Sequence, residues 1–310
     1  MRFSVVIPTL ERHDVLRRTL QALVDSDPPP DEVILVDAAP DLAARNVVSS
    51  LGHHPNRRPR LIHVPSETGL TVQRNHGIDK AKGEVVVFLD DDVTFQPDVF
   101  ARLAAAYADP GVVGATGRIV EPDGGRIGAP GSSVRNWLLG RGREGEFTRF
   151  GYPRYIRNVD IARDVEYMLG CFMSARLEAA KEVRFDEAMR GYALGEDEDF
   201  SYRLSGLGRI RYVPDLVVHH HKLGFASKDA RVFNKLVVRN RAYLFRKNFS
   251  RSRKARVQFA LFLGVLLAHR LLNREWPGAL GVLEGIGEVY GRRSIAARPA
   301  TLGGGPSGRS

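Results

Sequence analysis

Short apolar runs rich in β-branched residues alternate with helical patterns over roughly the first third of the chain, and this alternation constrains the fold more than any other feature. Strands separated by helices pair in parallel, and the helices cover both faces of the sheet. The sequence therefore predicts an α/β fold with a mostly parallel central sheet and flanking helices. The expected strands are residues 4–7, 32–36, 61–64 and 84–89, and the expected helices are residues 15–24 and 70–81.

Polar and titratable residues follow these strands at the point where each one ends. Ligands of parallel sheets collect at the carboxyl ends of the strands, so these residues are candidates for one binding site. They are Pro8, Thr9 and Glu11 after the first strand, Asp37 after the second, and Asp90, Asp91 and Asp92 after the fourth.

The three consecutive aspartates need a positive partner, because neighbouring carboxylates raise each other's pKa. Mg²⁺ or Mn²⁺ supplies that charge and takes one or two protein carboxylates, while water and substrate phosphates fill the other positions. Asp92 is the predicted metal ligand, and Asp90 and Asp91 are assigned to the nucleotide side. The alternative is a solvated turn that caps the next helix, since Asp is a favoured N-cap residue.

A second acidic cluster, Gly195-Glu196-Asp197-Glu198-Asp199, opens a predicted helix. Acids in the first helical turn interact favourably with the helix dipole, which is the simpler reading, but four acids exceed what capping requires. A carboxylate near a reacting hydroxyl can accept its proton. We therefore predict Asp197 as the general base, with Glu196 as a second catalytic residue and Asp199 as support.

The run His219-His220-His221 and the helical residue Arg74 add weaker signals. Adjacent strand residues point to opposite faces, so the three histidines cannot all bind one metal. One of the three is predicted to complete the metal shell or to bind the leaving phosphate, and the alternative is that one packs on an apolar face and two are solvated. Arg74 precedes the aspartate triplet by one strand, and an arginine can bind a diphosphate in a bidentate manner.

The net charge of +10 is concentrated in one segment, since residues 228–256 hold eleven Lys and Arg against the single acid Asp229. A basic helical stripe, followed by an apolar helix, is predicted to contact an anionic membrane surface and a lipid-phosphate acceptor. The alternatives are packing on the catalytic domain or on a second subunit, which would make a homodimer. The stripe is Lys228, Arg231, Lys235 and Arg239, and the apolar residues are Phe259, Phe262, Leu263, Leu266 and Leu267.

The location expected from the sequence is the cytoplasm, at the inner face of the cell membrane. The longest apolar run, residues 259–268, is about half of the roughly 20 residues that a membrane-spanning helix needs. No export signal is recognisable at the N-terminus. The single cysteine, Cys171, excludes an internal disulfide and suits a reducing compartment.

The domain organisation is predicted from changes in composition along the chain. Residues 1–225 form the catalytic domain, with a nucleotide-binding half at 1–110 and an acceptor half at 111–225. The glycine-rich stretch 111–160 is predicted as a long irregular loop. Residues 226–300 form a basic helical region, and the Gly/Ser/Arg tail 301–310 is predicted to be disordered. Later expected elements are helices at 176–183, 195–204, 229–248 and 256–273 and strands at 210–213 and 217–221.

Taken in order, these motifs resemble the inverting family 2 glycosyltransferases with the GT-A nucleotide-diphospho-sugar transferase fold, of the bacterial rhamnosyltransferase-like, cell-surface polysaccharide type. The resemblance covers roughly residues 3–250. The segments that carry it are Ser4-Val5-Val6-Ile7-Pro8-Thr9, Val33-Ile34-Leu35-Val36-Asp37, Gly69 through Arg74-Asn75-His76-Gly77, Val86-Val87-Phe88-Leu89-Asp90-Asp91-Asp92, Gly170-Cys171-Phe172-Met173, Arg184-Phe185-Asp186-Glu187 with residues 195–199, and Tyr212-Val213-Pro214 with its histidines.

The resemblance implies a role for each matching residue. Pro8, Thr9, Glu11 and Asp37 hold the base and ribose, Arg74 the donor region, and Asp90 with Asp92 the nucleotide and Mg²⁺ or Mn²⁺. Asp197 matches the catalytic base, and His219 or His220 assists the metal and the diphosphate. The implied reaction is one in-line displacement with inversion, from a UDP, dTDP or GDP sugar to a sugar, lipid-linked or small-molecule hydroxyl. Ala38-Ala39-Pro40 and Thr68 depart from the family pattern, which weakens the transfer for base recognition.

Two other functions compete with this reading. A nucleotidyltransferase acting on a sugar phosphate also uses a parallel sheet and acidic metal ligands, but the loop 8–13 is not a glycine-rich, basic phosphate loop. A nucleic-acid-binding protein would suit the basic charge, yet that charge is confined to one segment and the strand ends carry acids that repel phosphate. No nucleic-acid partner is therefore expected.

Overall fold

A nine-stranded sheet with helices on both faces forms the body of the protein in a computed structural model. The structure describes residues 1–10, 12–39, 43–50, 59–122, 142–157, 159–189, 193–221, 229–249 and 252–291. The strands are β1 Phe3–Thr9, β2 Glu32–Asp37, β3 Arg60–Pro65, β4 Val85–Leu89, β5 Val93–Phe95, β6 Val112–Val120, β7 Arg163–Val165, β8 Phe172–Arg176 and β9 Arg209–His220. The helices are α1 His13–Val24, α2 Ala43–Ser50, α3 Leu70–Lys80, α4 Val99–Ala106, α5 Leu177–Val183, α6 Glu196–Ser205, α7 Ala230–Leu244, α8 Arg253–Leu272 and α9 Trp276–Tyr290.

The strand order is β3-β2-β1-β4-β8-β6-β9-β5, and β7 pairs with β9 beside this path. The strands β3, β2, β1 and β4 are parallel, as is the pair β6 and β9. The pairs β4–β8, β6–β8, β5–β9 and β7–β9 are antiparallel. The α/β fold is thus confirmed, with a parallel N-terminal half inside a mixed sheet.

The N-terminal half agrees with its predicted elements because β1, β2 and β4 are mostly apolar runs buried on both faces. All five residues of β4 are buried, as parallel strands between two helical layers require. Helix α3 crosses β1 so closely that a Cβ atom on Gly77 would lie 2.1 Å from Cγ1 of Val6. Only glycine permits that approach, which sets the helix that carries Arg74 against the strand that leads to Thr9.

The prediction of a loop over residues 111–160 is wrong for its first part, because β6 lies in the middle of the sheet between β8 and β9. Gly114 and Gly117 obscured its strand pattern. The register with β9 shifts at Gly117, where a Cβ atom would lie 2.2 Å from the backbone oxygen of Leu216. Glycine is thus required by a bulge rather than by a loop. Residues 123–141 lie outside the described residues.

The C-terminal region contains three helices and a short π-helical turn, Phe245–Phe249, that continues α7. Two of these helices agree with the prediction, and α9 was not predicted because it contains four glycines. A Cβ atom on Gly281 would lie 2.1 Å from the backbone oxygen of Arg231. The glycines therefore let α9 pack tightly on α7. The predicted boundary at residue 225 and the tail 301–310 lie outside the described residues.

Among the described residues, α8 is the one helix that is long and apolar enough to cross a membrane by length and composition. The longest uninterrupted apolar run is shorter than this helix, so it did not indicate such a length. Core helices of soluble proteins can have the same composition, but they are mostly buried. Only 17% of the most apolar window of α8 is buried.

Candidate active site

The aspartate triplet ends β4 at the carboxyl edge of the parallel strands, and its three side chains have different surroundings. Asp90 is partly exposed, whereas Asp91 and Asp92 are buried. Asp91 points inward, where it accepts a hydrogen bond of 3.0 Å from Oγ1 of Thr9 and pairs with Arg12 at 2.8 Å. This inward position does not support the predicted contact of Asp91 with the nucleotide.

Asp90, Asp92 and His220 each place one ligand atom within 4.8 Å of those of the other two. Nε2 of His220 lies 3.3 Å from Oδ1 of Asp92 and 4.0 Å from Oδ2 of Asp90. An octahedral ion with bonds of about 2.1 Å sets its neighbouring ligand atoms about 3.0 Å apart and opposite ones about 4.2 Å apart. The three side chains fit a divalent cation in both spacing and chemistry.

Of the two candidate histidines, the structure brings His220 to the aspartates. Alternation along β9 directs His220 inward, while His219 is exposed on the other face beside Thr94. The prediction of His219 as a metal ligand is therefore wrong. Oε1 of Glu121, at the end of β6, lies 3.7 Å from Nδ1 of His220.

The electrostatics of this cluster are dominated by close opposite charges. Burial opposes the charged form of His220, but Asp92 and Glu121 outweigh it and raise the pKa of His220 to about 9. Burial also favours the neutral form of Asp92, yet hydrogen bonds from His220 and Arg12 lower the pKa of Asp92. Burial raises the pKa of Asp91 to about 7 against the opposing charge of Arg12.

Arg12 was not identified from the sequence, although it contacts two of the three aspartates. Its guanidinium pairs with Oδ1 of Asp91 at 2.8 Å and with Oδ2 of Asp92 at 2.6 Å. The side chain is about one-third exposed, so it lies at the mouth of the site rather than in the core. Its one signal in the sequence was its position in the loop that follows β1.

The nucleotide-side residues predicted after β1 and β2 lie side by side. Oδ1 of Asp37 accepts a hydrogen bond from the backbone of Ala39, and Oδ2 lies 3.0 Å from Nε2 of His63. Pro8 and Thr9 pair with the end of β2. Nε2 of Gln73 donates to the backbone oxygens of Thr9 and Val36 and so joins the two strand ends.

Glu11 lies outside the described residues. His63 and Gln73 were not identified as site residues from the sequence. A polar histidine within the apolar run of β3 was the available signal for His63.

Arg74 is completely buried and bridges the two acidic clusters. One terminal nitrogen donates to Glu196 at 2.9 Å, and the other contacts Asp90 at 3.3 Å and the backbone oxygen of Gly170 at 2.9 Å. The guanidinium also lies over the ring of Phe185. Both terminal nitrogens of Arg74 are thus engaged inside the protein, where they hold Asp90, Glu196 and Gly170.

Asp197 is held in place by three donors near the beginning of α6. Its Oδ2 accepts hydrogen bonds from the hydroxyl of Tyr167 at 3.0 Å and the backbone N–H of Gly170 at 2.9 Å. Its Oδ1 accepts from the N–H of Glu198 at 2.9 Å. Burial raises the pKa of Asp197, and the bond from Tyr167 opposes that rise. A carboxylate with a raised pKa and a fixed orientation is suited to general-base chemistry near neutral pH.

The other acids of α6 anchor the helix and are more deeply buried than Asp197. Glu196 bonds Arg74, and burial raises its pKa, with the neighbouring Asp197 adding to the rise. Glu198 forms a bidentate pair with Arg241 of α7. Asp199 bonds three groups, namely Arg203, Lys247 and Asn248. Asp197 is thus the one acid of this cluster that is partly exposed.

A small cleft has Tyr167, whose hydroxyl holds Asp197, in its lining. Two further tyrosines, Tyr155 and Tyr212, contribute to the lining, together with Leu169 and Arg157. The rings of Tyr155 and Tyr167 meet edge to face with centroids 5.5 Å apart. Aromatic faces with a few polar groups suit the binding of a sugar ring or another partly apolar group.

The basic stripe of α7 is paired within the protein, which corrects the prediction that it is available to a membrane or an acceptor. Arg231 pairs with Glu284 of α9, and Lys235 and Arg239 both pair with Glu288. Lys228 lies outside the described residues.

The apolar residues predicted for the same contact pack toward the interior of the protein. Phe259 and Leu263 are buried, and Phe262, Leu266 and Leu267 pack against the same core.

The chain has the GT-A fold. This fold is similar to that of a mannosyltransferase from Pyrobaculum calidifontis solved with GDP-Man and Mn²⁺, with a TM-score of 0.57 over 94% of this chain and 88% of that one at 17% identity. The sequence gives the family. The family described as Glycosyl transferase family 2 matches residues 4–184, more than half of the chain, and the protein belongs to it.

Two curated relatives are similar to parts of the chain. The pre-mycofactocin glycosyltransferase of Mycobacterium tuberculosis is 30% identical over 233 residues, which cover 71% of this chain and 43% of that protein. The GalNAc(5)-diNAcBac-PP-undecaprenol β-1,3-glucosyltransferase of Campylobacter jejuni is 30% identical over 91 residues, 29% of each chain. The chain therefore spans less than half the length of either relative.

Proposed function

We propose that the protein is an inverting, metal-dependent glycosyltransferase that moves a sugar from a nucleotide-sugar donor to a hydroxyl group during synthesis of a cell-surface polysaccharide, glycolipid or glycoconjugate. One observation carries the proposal: the candidate metal ligands and the candidate base are held by the same two neighbours, Gly170 and Arg74. The Gly170 N–H donates to Asp197, its carbonyl accepts from Arg74, and Arg74 contacts Asp90. Donor activation and deprotonation of the acceptor require such a pair of centres at a fixed separation.

The donor is proposed to bind at the ends of β1, β2 and β4. Asp90, Asp92 and His220 would hold Mn²⁺ or Mg²⁺, and the ion would supply positive charge to stabilise the departing diphosphate. Thr9, Pro8 and Asp37 form the base and ribose side, and Glu11 remains a prediction there. Nucleotide-sugar binding is supported by the similar fold of the mannosyltransferase, which was solved with GDP-Man and Mn²⁺.

Asp197 is proposed to accept the proton of the acceptor hydroxyl. The acceptor oxygen then forms a bond to the anomeric carbon as the bond from that carbon to the diphosphate oxygen breaks. Because one displacement occurs, the configuration inverts and the protein forms no covalent bond. Tyr167 and Gly170 hold Oδ2 of Asp197 in a fixed position. The proton is then proposed to go to the other oxygen, Oδ1, or to a free lone pair of Oδ2.

The acceptor is proposed to bind in the tyrosine-lined cleft, because Tyr167 both lines that cleft and bonds Asp197. A lipid-linked acceptor and action at the cytoplasmic face of the membrane are supported by two features. The Campylobacter jejuni relative carries an undecaprenol-linked substrate in its name. The C-terminal helices expose a wide apolar surface.

Thermal unfolding with UDP, dTDP and GDP, each with and without Mn²⁺, tests the donor site. One nucleotide is expected to stabilise the protein only with Mn²⁺, by about 2.7 kcal/mol at a hundredfold excess over its dissociation constant. Asp92→Asn should abolish this gain, whereas Asp197→Asn should keep it and lose transfer. Equal stabilisation with and without Mn²⁺, or normal transfer by Asp197→Asn, contradicts the proposal. Release of pyrophosphate from a nucleoside triphosphate would favour a nucleotidyltransferase.

A further inference from the structure

Helix α8 exposes an unbroken apolar face. From Val257 to Ala268 the helix contains no charged residue and one polar residue, Gln258. The exposed side chains include Val257 and Leu261, both near half exposed or more, and Leu272, which is 84% exposed. Together with Ala260, Gly264, Ala268 and Leu271 they occupy one side of the helix.

Helix α9 adds a second apolar stripe beside the first. Trp276, Leu280, Leu283 and Tyr290 follow helical spacing of i, i+4, i+7 and i+14, and each is about half exposed or more. The acids of α9, Glu284 and Glu288, are on the side that pairs with α7. We call the exposed apolar sides of these two helices the α8–α9 face.

Surface helices of soluble proteins normally direct charged and polar residues to water, and a helix that is apolar all round is usually covered. A contiguous exposed apolar patch marks a site of interaction. Within the described part of the chain, nothing covers the α8–α9 face.

The opposite side of α8 belongs to the protein core, which limits how the helix can meet a partner. Phe259 stacks on Phe245 with ring centroids 4.3 Å apart, and Phe262 packs on Phe150. A helix bound on one side by protein cannot be surrounded by lipid as a membrane span is. It can lie along a surface with its free side buried in the headgroup and acyl boundary.

We propose that the α8–α9 face binds the surface of an anionic lipid bilayer. Arg253 and Lys254 are exposed at the start of α8 on the side of the apolar stripe, and Arg274 is exposed in the turn between α8 and α9. These cations complement anionic headgroups, whereas two copies packed through this face would bring like charges together. Trp276 and Tyr290 at the two ends of α9 have the amphipathic rings that favour a membrane interface.

The buried side of α8 is connected to the acceptor side of the active site. Tyr167, which holds Asp197, meets Tyr155 at 5.5 Å between centroids. Tyr155 meets Tyr152 at 6.2 Å, and Tyr152 meets Phe262 of α8 at 5.3 Å. Because the proposed function assigns the cleft lined by Tyr167 to the acceptor, binding of the exposed side of α8 to a bilayer fixes the position of that cleft relative to the lipid surface. A lipid-linked acceptor could then present its hydroxyl while its chain stays in the bilayer.

Vesicle sedimentation tests the proposal. The full chain is expected to sediment with phosphatidylcholine vesicles that contain about one-third phosphatidylglycerol, and much less with phosphatidylcholine alone. Leu261→Asp with Leu283→Asp should lower the partition coefficient at least tenfold. The matched control is Leu207→Asp, since Leu207 is 43% exposed and Leu261 45% exposed, but Leu207 lies outside the C-terminal helices; it should sediment like the wild type.

The charge contribution has its own pair of variants. Arg253→Gln with Lys254→Gln should weaken binding to the anionic vesicles by about thirtyfold at low salt, which is about fivefold per charge. Arg17→Gln with Arg18→Gln removes the same charge from exposed positions on α1 and should change binding little. Emission from Trp276 should move to shorter wavelength with vesicles in a Trp137→Phe background.

Three results would overturn the proposal: equal sedimentation of the Leu261/Leu283 variant and the wild type, resistance of the bound protein to extraction by alkaline carbonate, or a dimer in solution that these substitutions dissociate. Nucleotide stabilisation with Mn²⁺, measured without vesicles, should be the same in every variant. That readout reports on the donor site alone, so failure of the proposed function is distinguishable from failure of the lipid surface.

Discussion

Replacing Tyr167 by phenylalanine removes one hydrogen bond from Asp197 and keeps the ring that lines the cleft. The hydroxyl donates to Oδ2 of Asp197 at 3.0 Å, and this bond lowers the pKa of Asp197 against the effect of burial. A hydrogen bond to a charged group contributes about 1.5 to 3 kcal/mol, and about 1.4 kcal/mol corresponds to one pKa unit. Gly170 and Glu198 still donate to the carboxylate, so only one of its three hydrogen bonds is lost. We therefore expect the pKa of Asp197 to rise by about one to two units.

The sign of the effect on activity follows from the role of Asp197 as a base. A base works when it is ionised, so kcat/KM falls below its pKa, and a higher pKa moves the acidic limb of the pH profile to higher pH. In Tyr167→Phe that limb should move upward by about one to two units, with a loss of roughly tenfold or more at a fixed pH on the limb and recovery at alkaline pH.

The assay is the pH dependence of kcat/KM for sugar transfer, with nucleotide affinity measured separately. Tyr155→Phe is the control, because Tyr155 contacts the ring of Tyr167 but is not one of the three groups that donate to Asp197. Its acidic limb should stay in place. An unmoved limb in Tyr167→Phe, with activity lowered equally at every pH, would refute the argument that this hydroxyl tunes the base.

Three further predictions follow from the same geometry. Mn²⁺ affinity should rise about tenfold per pH unit between about 6.5 and 9, because the metal requires neutral His220 and the pKa of His220 in the metal-free protein is about 9. Calorimetric titration measures this affinity, and His220→Gln should flatten its dependence on pH. Gly195→Ala should lower stability by about 1 to 3 kcal/mol in urea unfolding, since φ is 95° and a Cβ atom would lie 2.9 Å from Cδ1 of Leu244. Arg241→Met should cost about 3 to 5 kcal/mol because it leaves the carboxylate of Glu198 buried without its partner, and adding Glu198→Gln should restore part of that loss.

The sequence predicted the N-terminal half of the fold well because each of its elements is specified locally. The strands are apolar runs buried on both faces, and their lengths and spacings identify them. The antiparallel strand β8 could not be assigned to its place beside β4 in this way, since that pairing joins residues 85–89 to 172–176. Likewise β6 carries glycines at close approaches, which read locally as a loop.

The candidate site was located by a rule of topology, and its details depend on side-chain direction. The carboxyl ends of parallel strands identified Asp37 and the aspartate triplet. That rule does not say which aspartate turns inward. Asp91 does so because its carboxylate accepts a hydrogen bond from Thr9 and pairs with Arg12. Strand alternation did predict that only some of the three histidines could share a metal, but the register of β9 against β5 was needed to select His220.

The basic segment shows why a count of charge along the chain gives an incomplete account of a surface. Arg231, Lys235 and Arg239 are neutralised by Glu284 and Glu288, about fifty residues later in the sequence, and these pairs hold α9 against α7. With its acids used on that side, α9 has only apolar residues left for the outer side. The ion pairs thus stabilise the helical unit, and the exposed apolar side chains, with a few cations at their edge, are left to bind a partner.

The same unit is also tied to the catalytic helix. Arg241 of α7 bonds Glu198, which immediately follows Asp197, and Lys247 bonds Asp199. A movement of α7 would therefore displace the beginning of α6, where Asp197 is held. If the α8–α9 face binds a bilayer, the orientation of Asp197 relative to that surface is set by these contacts. Breaking the Arg241–Glu198 pair should then weaken transfer to a lipid-linked acceptor more than it weakens binding of the nucleotide, which depends on the ends of β1, β2 and β4.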